Sequence, residues 1–172
     1  MIWFTSDSHY GHHLEALGRP FLDDRMDELM IENWNNRVKP QDTVYFLGDF
    51  ALHMRFEDMF LIFSRLKGDK IFIKGNHDRR NGVNKLNWGS QHDVLWMHTP
   101  DLPSNIPGIW LSHYPHRSWP SSFHGSLHLH GHSHGHMPPY TNSLDVGVDC
   151  HNFCPISLEE VLKLVPRGDL RA

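Results

Sequence analysis

"KIFIKGNHD", residues 70–78, decides how this chain is read. Lys70-Ile-Phe-Ile-Lys74 is a β-branched and aromatic run of strand type, and it breaks at once into Gly75-Asn76-His77-Asp78. An amide oxygen beside an imidazole is an unusual pair to place at a strand end. The same unit recurs along the chain. Predicted strands at 1–4, 43–47, 108–111 and 127–130 run into Asp7-Ser-His9, Gly48-Asp49, Ser112-His113 and Gly131-His132-Ser-His134. Open α/β architectures place their ligand crevice at the carboxyl ends of strands, so residues distant in sequence are expected to converge there.

Helical patterns fill the intervals. Met26, Leu29, Met30 and Trp34 recur at helical spacing after Asp24, read as the N-cap, with Asp27 in the first turn and Pro40 beyond the end. Met59, Ile62, Phe63 and Leu66 repeat the pattern before Gly68, and Ser157-Leu-Glu-Glu160 has the form of a capping box. This order predicts an α/β fold of mixed sheets flanked by helices. Trp96, Trp110 and residues 144–148 also allow antiparallel pairings, and the Pro-containing stretch 99–108 reads as a surface connection.

Bulk properties narrow the function. A chain of 172 residues with 39% apolar content fits a single domain, 1–172, and the absence of a large insertion between the polar blocks predicts no cap over the cleft. Sixteen Lys and Arg against 20 Asp and Glu provide no global basic field for a nucleic acid or membrane. The first residues lack a signal-peptide pattern and no apolar run is long enough to span a bilayer, so a cytoplasmic protein without a membrane partner is expected. No protein partner is evident either. Cys150 and Cys154 are too few for a disulfide scaffold and read as reduced thiols. The tract 127–140 carries five histidines between His128 and His136, which on its own suits a metal-buffering chain.

Taken singly, most of these blocks have ordinary explanations. Asp7 and His9, two apart on a continuing strand, would face the same way and hold one cation, but a turn Asp beside a solvated His has the same spelling. Gly48-Asp49 is common turn chemistry. Taken in order, the blocks resemble the calcineurin-like binuclear metallophosphoesterase superfamily, whose pattern is Asp-x-His, Gly-Asp, Gly-Asn-His-Asp/Glu, a lone His and Gly-His-x-His. The resemblance runs from Asp7 to His134, about three quarters of the chain. Val146-Gly-Val-Asp149 through Ser157-Leu-Glu-Glu-Val161 further resembles small bacterial and phage phosphoesterases of that group.

The resemblance implies roles. Asp7, His9 and His134 would bind one divalent cation, Asn76, His113 and His132 a second, and Asp49 would bridge the two with its two oxygens across roughly 3.5–4 Å. Oxygen and nitrogen ligands without thiolate suit manganese first, with iron or zinc as alternatives. Such a pair attracts phosphate although the protein is acidic overall. By the same resemblance, a metal-bridging hydroxide attacks phosphorus in line and His77 protonates the leaving alkoxide. Asp78 would orient His77 or cap a following helix.

One departure bears on substrate. The protein-phosphatase branch continues Gly-Asp into x-x-Asp-Arg-Gly, whereas this chain has Phe50-Ala51-Leu52-His53. That points away from phosphoproteins and toward a phosphodiester, with a nucleotide or oligonucleotide as candidate substrate. His53 is a candidate partner for His77, as a histidine is in the nuclease branch, although there it sits one position earlier. Arg79, Arg80 and Arg117 are candidate phosphate contacts, and Trp119 a candidate stacking ring; a solvated face is the competing explanation. Three other functions share the pattern in whole or part: a single-strand endonuclease, a phosphomonoesterase, and a histidine-rich metal-binding protein without turnover.

Overall fold

The computed structural model describes residues 1–13, 15–79 and 82–168. Two mixed sheets stack in it. The first has the order β4-β3-β2-β1-β9, from Ser90–His92, Asp69–Ile73, Thr43–Phe46, Ile2–Thr5 and Ile156–Ser157; β1 to β4 run parallel and β9 antiparallel. The second has the order β5-β6-β7-β8, from Val94–Met97, Ile109–Ser112, Leu127–His130 and Ser143–Asp145. In it β6, β7 and β8 are parallel and β5 is antiparallel. Of residues 144–148, which allowed an antiparallel pairing, Leu144 and Asp145 instead belong to β8, in parallel with β7.

Alternation along the strands sorts side chains into two cores. Trp3, Val44, Phe46 and Phe72 leave one face of the first sheet and meet α1 (Asp24–Arg37) and α2 (Phe56–Arg65) through Met30, Trp34, Met59 and Phe63. Phe4, Leu47 and Ile73 leave the other face and join Ile109, Leu111, Leu127 and Leu129 of the second sheet, with Val161 of α3 (Leu158–Leu164) closing that layer. Trp88 stacks on Phe72 at 4.3 Å between centroids and edges onto Phe63 at 4.7 Å, locking the end of α2 to the sheet.

Capping follows local chemistry with one shift. Ser157 and Glu160 form the expected capping box, but α1 is capped by Asp23, whose side chain accepts from the Arg25 backbone, one residue ahead of the expected Asp24. The stretch 99–108 is not purely superficial either. Leu102 and Ile106 are buried in the core between the sheets, because a polar segment with two apolar residues gains more by tucking them in than by leaving both wet. Among the described residues, no helix is long and apolar enough to cross a membrane. Both cysteines are free.

Candidate metal centre

The parallel strands β1, β2 and β3, together with β6 and β7, deliver their carboxyl ends to one edge of the stacked sheets. Asp7, His9 and His134 there form one group of potential ligands, and Asp49, His113 and His132 a second, the offered atoms of each lying within 4.8 Å of one another. Asn76 joins the second group through its Oδ1, 2.9 Å from His113 Nε2.

The local backbone explains how so many polar groups meet. Asp7 and His9 do not continue β1, as same-face spacing on a strand would require. Asp7, His9, Asp49, His132 and His134 all have φ between 46° and 65°, the left-handed region that non-glycine residues seldom occupy. Five of the ten such residues among those described are thus candidate ligands, and strain of this kind gathers where a site needs it. The chain after β1, β2 and β7 therefore enters a sharp reversal that carries these polar residues. Neighbouring reversals hold one another: Asp7 N–H donates to Gly48 O at 2.9 Å and His9 N–H to Asp49 O at 3.1 Å. Close approach accounts for two glycines. A Cβ on Gly75 would strike the Asp49 carboxylate, and one on Gly131 would strike Asp7 and Ser6.

Asp49 sits at the middle. Its Oδ1 accepts the His77 backbone N–H at 2.9 Å, while Oδ2 lies 3.7 Å from His9 Nε2, 3.4 Å from His113 Nε2 and 3.9 Å from His77 Nε2. Oδ2 thus faces both ligand groups. Burial alone would raise the Asp49 pKa, but His113 above all, then the His77 N–H and His9, hold it below the ordinary carboxylate range. Asp7 divides its oxygens in the same way, Oδ2 accepting the His132 backbone N–H at 2.8 Å.

The donors fit a pair of divalent cations on evidence of their own. Asp7 Oδ1 and both ring nitrogens of His9 are buried without a hydrogen-bond partner, a costly arrangement unless an ion satisfies them. His113 faces acceptors on both sides, Leu47 O at 2.7 Å and Asn76 Oδ1 at 2.9 Å, whereas a neutral imidazole has one N–H to give. A cation at Nε2 removes that conflict.

Outer contacts fix the ligands, and these were not visible in the sequence. His134 Nδ1 contacts Asp149 Oδ2 at 2.7 Å, and Arg19 grips the same carboxylate at 2.8 and 3.0 Å. The buried Arg19 guanidinium also donates to the backbone oxygens of Asp7 at 2.8 Å and Ser8 at 2.7 Å, satisfying the carbonyls that the left-handed turn exposes. Burial opposes ionisation of Asp149, yet His134 and Arg19 pull its pKa down to about 2. Burial likewise would lower His134, and the Asp149 hydrogen bond raises it above its ordinary value. Asp149 lies in the motif-like tail, which offered no role for it; Arg19 follows Gly18 in a segment with no distinguishing pattern.

Several expected residues take other positions. Among the described residues, Asp78 makes no contact with the His77 ring and caps no helix. Its buried carboxylate accepts backbone N–H groups of Asp49 at 2.7 Å, Gly75 at 2.8 Å and Phe50 at 3.1 Å, so it staples the second and third polar loops together. His53 packs its ring against His12 at 5.1 Å rather than against His77, since its own left-handed backbone turns it toward the first loop. His77 itself is 42% exposed at the mouth, its ring edge-on to His9 at 5.5 Å. Arg79 is exposed and lines a small cavity with Lys74, Asn84 and Asp93. Arg117 stacks over Tyr140 at 5.4 Å beside a largely apolar cavity of about 460 Å³. Trp119 is buried, with its indole N–H directed to Ser126, and is not free to stack on a base. Arg80 lies outside the described residues. Of the remaining histidines in 127–140, His128 is buried between Ser112 and Ser143, while His136 is exposed.

A mixed α/β protein with two abutting His and Asp ligand groups is the class that fold and site define. No protein-family model matches the chain. It is 31% identical over 173 residues to the uncharacterized protein MJ1445 of Methanocaldococcus jannaschii, across 97% of this chain and 92% of the relative, and it belongs to that protein's family. The Gene 66 protein of Mycobacterium phage D29 is 27% identical over 192 residues, covering 95% of each. In fold, the chain is similar to the crystal structure of AQ665, a protein of unknown function from Aquifex aeolicus, with a TM-score of 0.72 at 24% identity over 96% of this chain and 99% of that one.

Proposed function

We propose that this chain is a metal-dependent phosphoesterase of the calcineurin-like binuclear type, with a phosphodiester as substrate. The observation that carries the reading is Asp49 Oδ2, shared between His9 at 3.7 Å and His113 at 3.4 Å, one from each ligand group. An oxygen so placed between two sets of nitrogen and oxygen donors suits two adjacent divalent cations better than one.

In this reading Asp7, His9 and His134 hold one cation and Asn76, His113 and His132 the other. Manganese is the first choice, and iron or zinc also match the donors. A bound pair supplies charge neutralisation for phosphoryl oxygens and lowers the pKa of a coordinated water. Residues of the chain do the rest. The Asp149–His134 contact presents Nε2 to the first cation in a fixed tautomer. Asp78 keeps the Asp49 and Asn76 loops at a constant separation through its three backbone contacts. His77 stands half exposed at the mouth, anchored by its own N–H on Asp49 Oδ1, where its ring can hand a proton to a departing alkoxide.

Diester preference rests on the sequence after Gly48-Asp49, which runs Phe50-Ala51-Leu52-His53 and so lacks the Arg that meets the second charge of a monoester in the protein-phosphatase branch. Hydrolysis of bis-p-nitrophenyl phosphate beside p-nitrophenyl phosphate tests this, after chelation and manganese add-back. Manganese-restored diester cleavage that disappears in Asp49→Asn is expected. No turnover of either ester by a chain that still holds two metals would replace the enzyme with a metal-binding protein.

A further inference from the structure

Away from the Asp49 centre, a second cluster has the makings of a cation site. His13 Nε2 lies 3.6 Å from Asp27 Oδ1 and 4.0 Å from Asp24 Oδ1, and the three groups lie within 4.8 Å of one another. These separations exceed hydrogen-bond length, and they approach the roughly 3.4 Å edge between ligands that each sit about 2.1 Å from a shared ion.

Asp27 is the informative member. The residue is 6% exposed, its Oδ2 is anchored by the Gly11 backbone N–H at 3.0 Å, and its Oδ1 is buried without any hydrogen-bond partner. His13 Nε2 is likewise buried and unpartnered. A carboxylate oxygen and an imidazole nitrogen facing each other, both unsatisfied, cost more than a pair closed by an ion. Burial pushes the Asp27 carboxyl above its ordinary pKa, against the lowering influence of the Gly11 N–H and of His13.

Among the described residues lining this cluster, no guanidinium or ammonium is left to pair with Asp27, and His13 is its one neighbouring base. Asp27 and Asp24 line a cavity of about 520 Å³ with Glu28, Asp58, His53 and Arg55, and the one guanidinium in that set pairs with Asp58 at 2.9 Å. Glu28 in turn is occupied by Arg65. Asp24 and Asp27 open α1, where the helix dipole favours their ionised form, and Asp24 is fully exposed, leaving a side of the cluster open to water ligands.

We propose that His13, Asp24 and Asp27 form a third divalent-cation site, independent of the Asp49 centre and sharing no ligand with it. One imidazole and two carboxylates without thiolate suit zinc or manganese. The ion clamps the first turn of α1 to residues 11–13, the segment that follows His9, and so braces the loop bearing Asp7 and His9 from outside.

Zinc content after chelation and equilibrium dialysis against buffered free Zn²⁺ tests the proposal. The wild-type chain is compared with His13→Gln, Asp24→Asn and a His9→Ala/Asp49→Asn/His132→Ala background in which both ligand groups of the other centre are disabled. The expected result is loss of one zinc equivalent in His13→Gln and in Asp24→Asn, and one equivalent retained by the background until His13→Gln is added. Unchanged zinc in a His13→Gln chain with native circular dichroism would overturn it. Should His13→Gln fail to fold, Asp24→Asn decides alone, because its side chain is solvent-exposed and unchanged zinc there overturns the site equally. A wild-type content of a single equivalent, lost with His13→Gln, would uphold this site while sinking the binuclear reading.

Discussion

His134 Nδ1 meets Asp149 Oδ2 at 2.7 Å, and Arg19 grips both oxygens of that carboxylate, so the imidazole is locked with Nε2 toward Asp7 and His9. Carboxylates behind metal-bound histidines typically contribute 10–100-fold in affinity. Asp149→Asn is therefore expected to weaken metal retention by about that factor. A competition titration against a chelator measures it, and retention equal to wild type would show that His134 is oriented without Asp149.

The roles proposed for His77 and Asp49 separate protonation from metal holding. His77→Ala is expected to lower cleavage of a diester with a poor leaving group by about 10²–10⁴-fold, and to spare one with a nitrophenolate leaving group that needs no proton. His53→Ala should leave both rates near wild type, because its ring faces His12. Equal losses on both esters in His77→Ala would remove the general-acid role, and a matching pattern in His53→Ala would restore His53 as its partner.

Gly131 admits Asp7 to the centre by having no side chain. Gly131→Ala places a methyl against the Asp7 carboxylate and Ser6, and overpacking of this kind costs about 1–3 kcal/mol. Urea unfolding of the metal-free protein should show that loss, and metal content should fall with it. An unchanged midpoint would mean that the loop after β7 moves aside freely.

His128 ties stability to pH. Burial, and then its neighbours His130 and His116, hold the imidazole's pKa down to about 2, far below its ordinary 6.5. The sign follows from linkage: the folded chain keeps His128 neutral, the unfolded chain protonates it below about 6.5, so its stability contribution is complete above that pH and drains away as pH falls. The rate is about 1.4 kcal/mol per pH unit. His128→Gln, which keeps a polar group between Ser112 and Ser143, should flatten the decline between pH 6.5 and 4 by close to one proton. Parallel declines in urea titrations across that range would contradict this.

Much of the fold was legible because its signals are local. Strands at 1–4, 43–47, 70–74, 108–111 and 127–130 correspond to β1, β2, β3, β6 and β7 within a residue or so, since β-branched and aromatic runs bounded by glycine and polar residues leave little choice. The Ser157 capping box was equally readable, both partners lying within one helical turn. Short elements escaped: β4 and β9 hold three and two residues, too few for a periodic pattern, and exist because neighbouring strands offer them hydrogen bonds.

By itself the sequence determined the order of elements and the inventory of ligand atoms at strand ends, because propensity, capping and residue type act over a few neighbours. Only the tertiary structure decided which of those atoms share a space. Left-handed reversals at Asp7, His9, Asp49, His132 and His134, glycines at 75 and 131, and the buried Arg19–Asp149 pair arise where four or more chain segments press together. The same packing turned His53 to His12, made Asp78 a loop staple and left Asp27 facing His13. Backbone strain and side-chain direction at these points are set by contacts between residues as far apart as 19 and 149, and no window along the chain contains both.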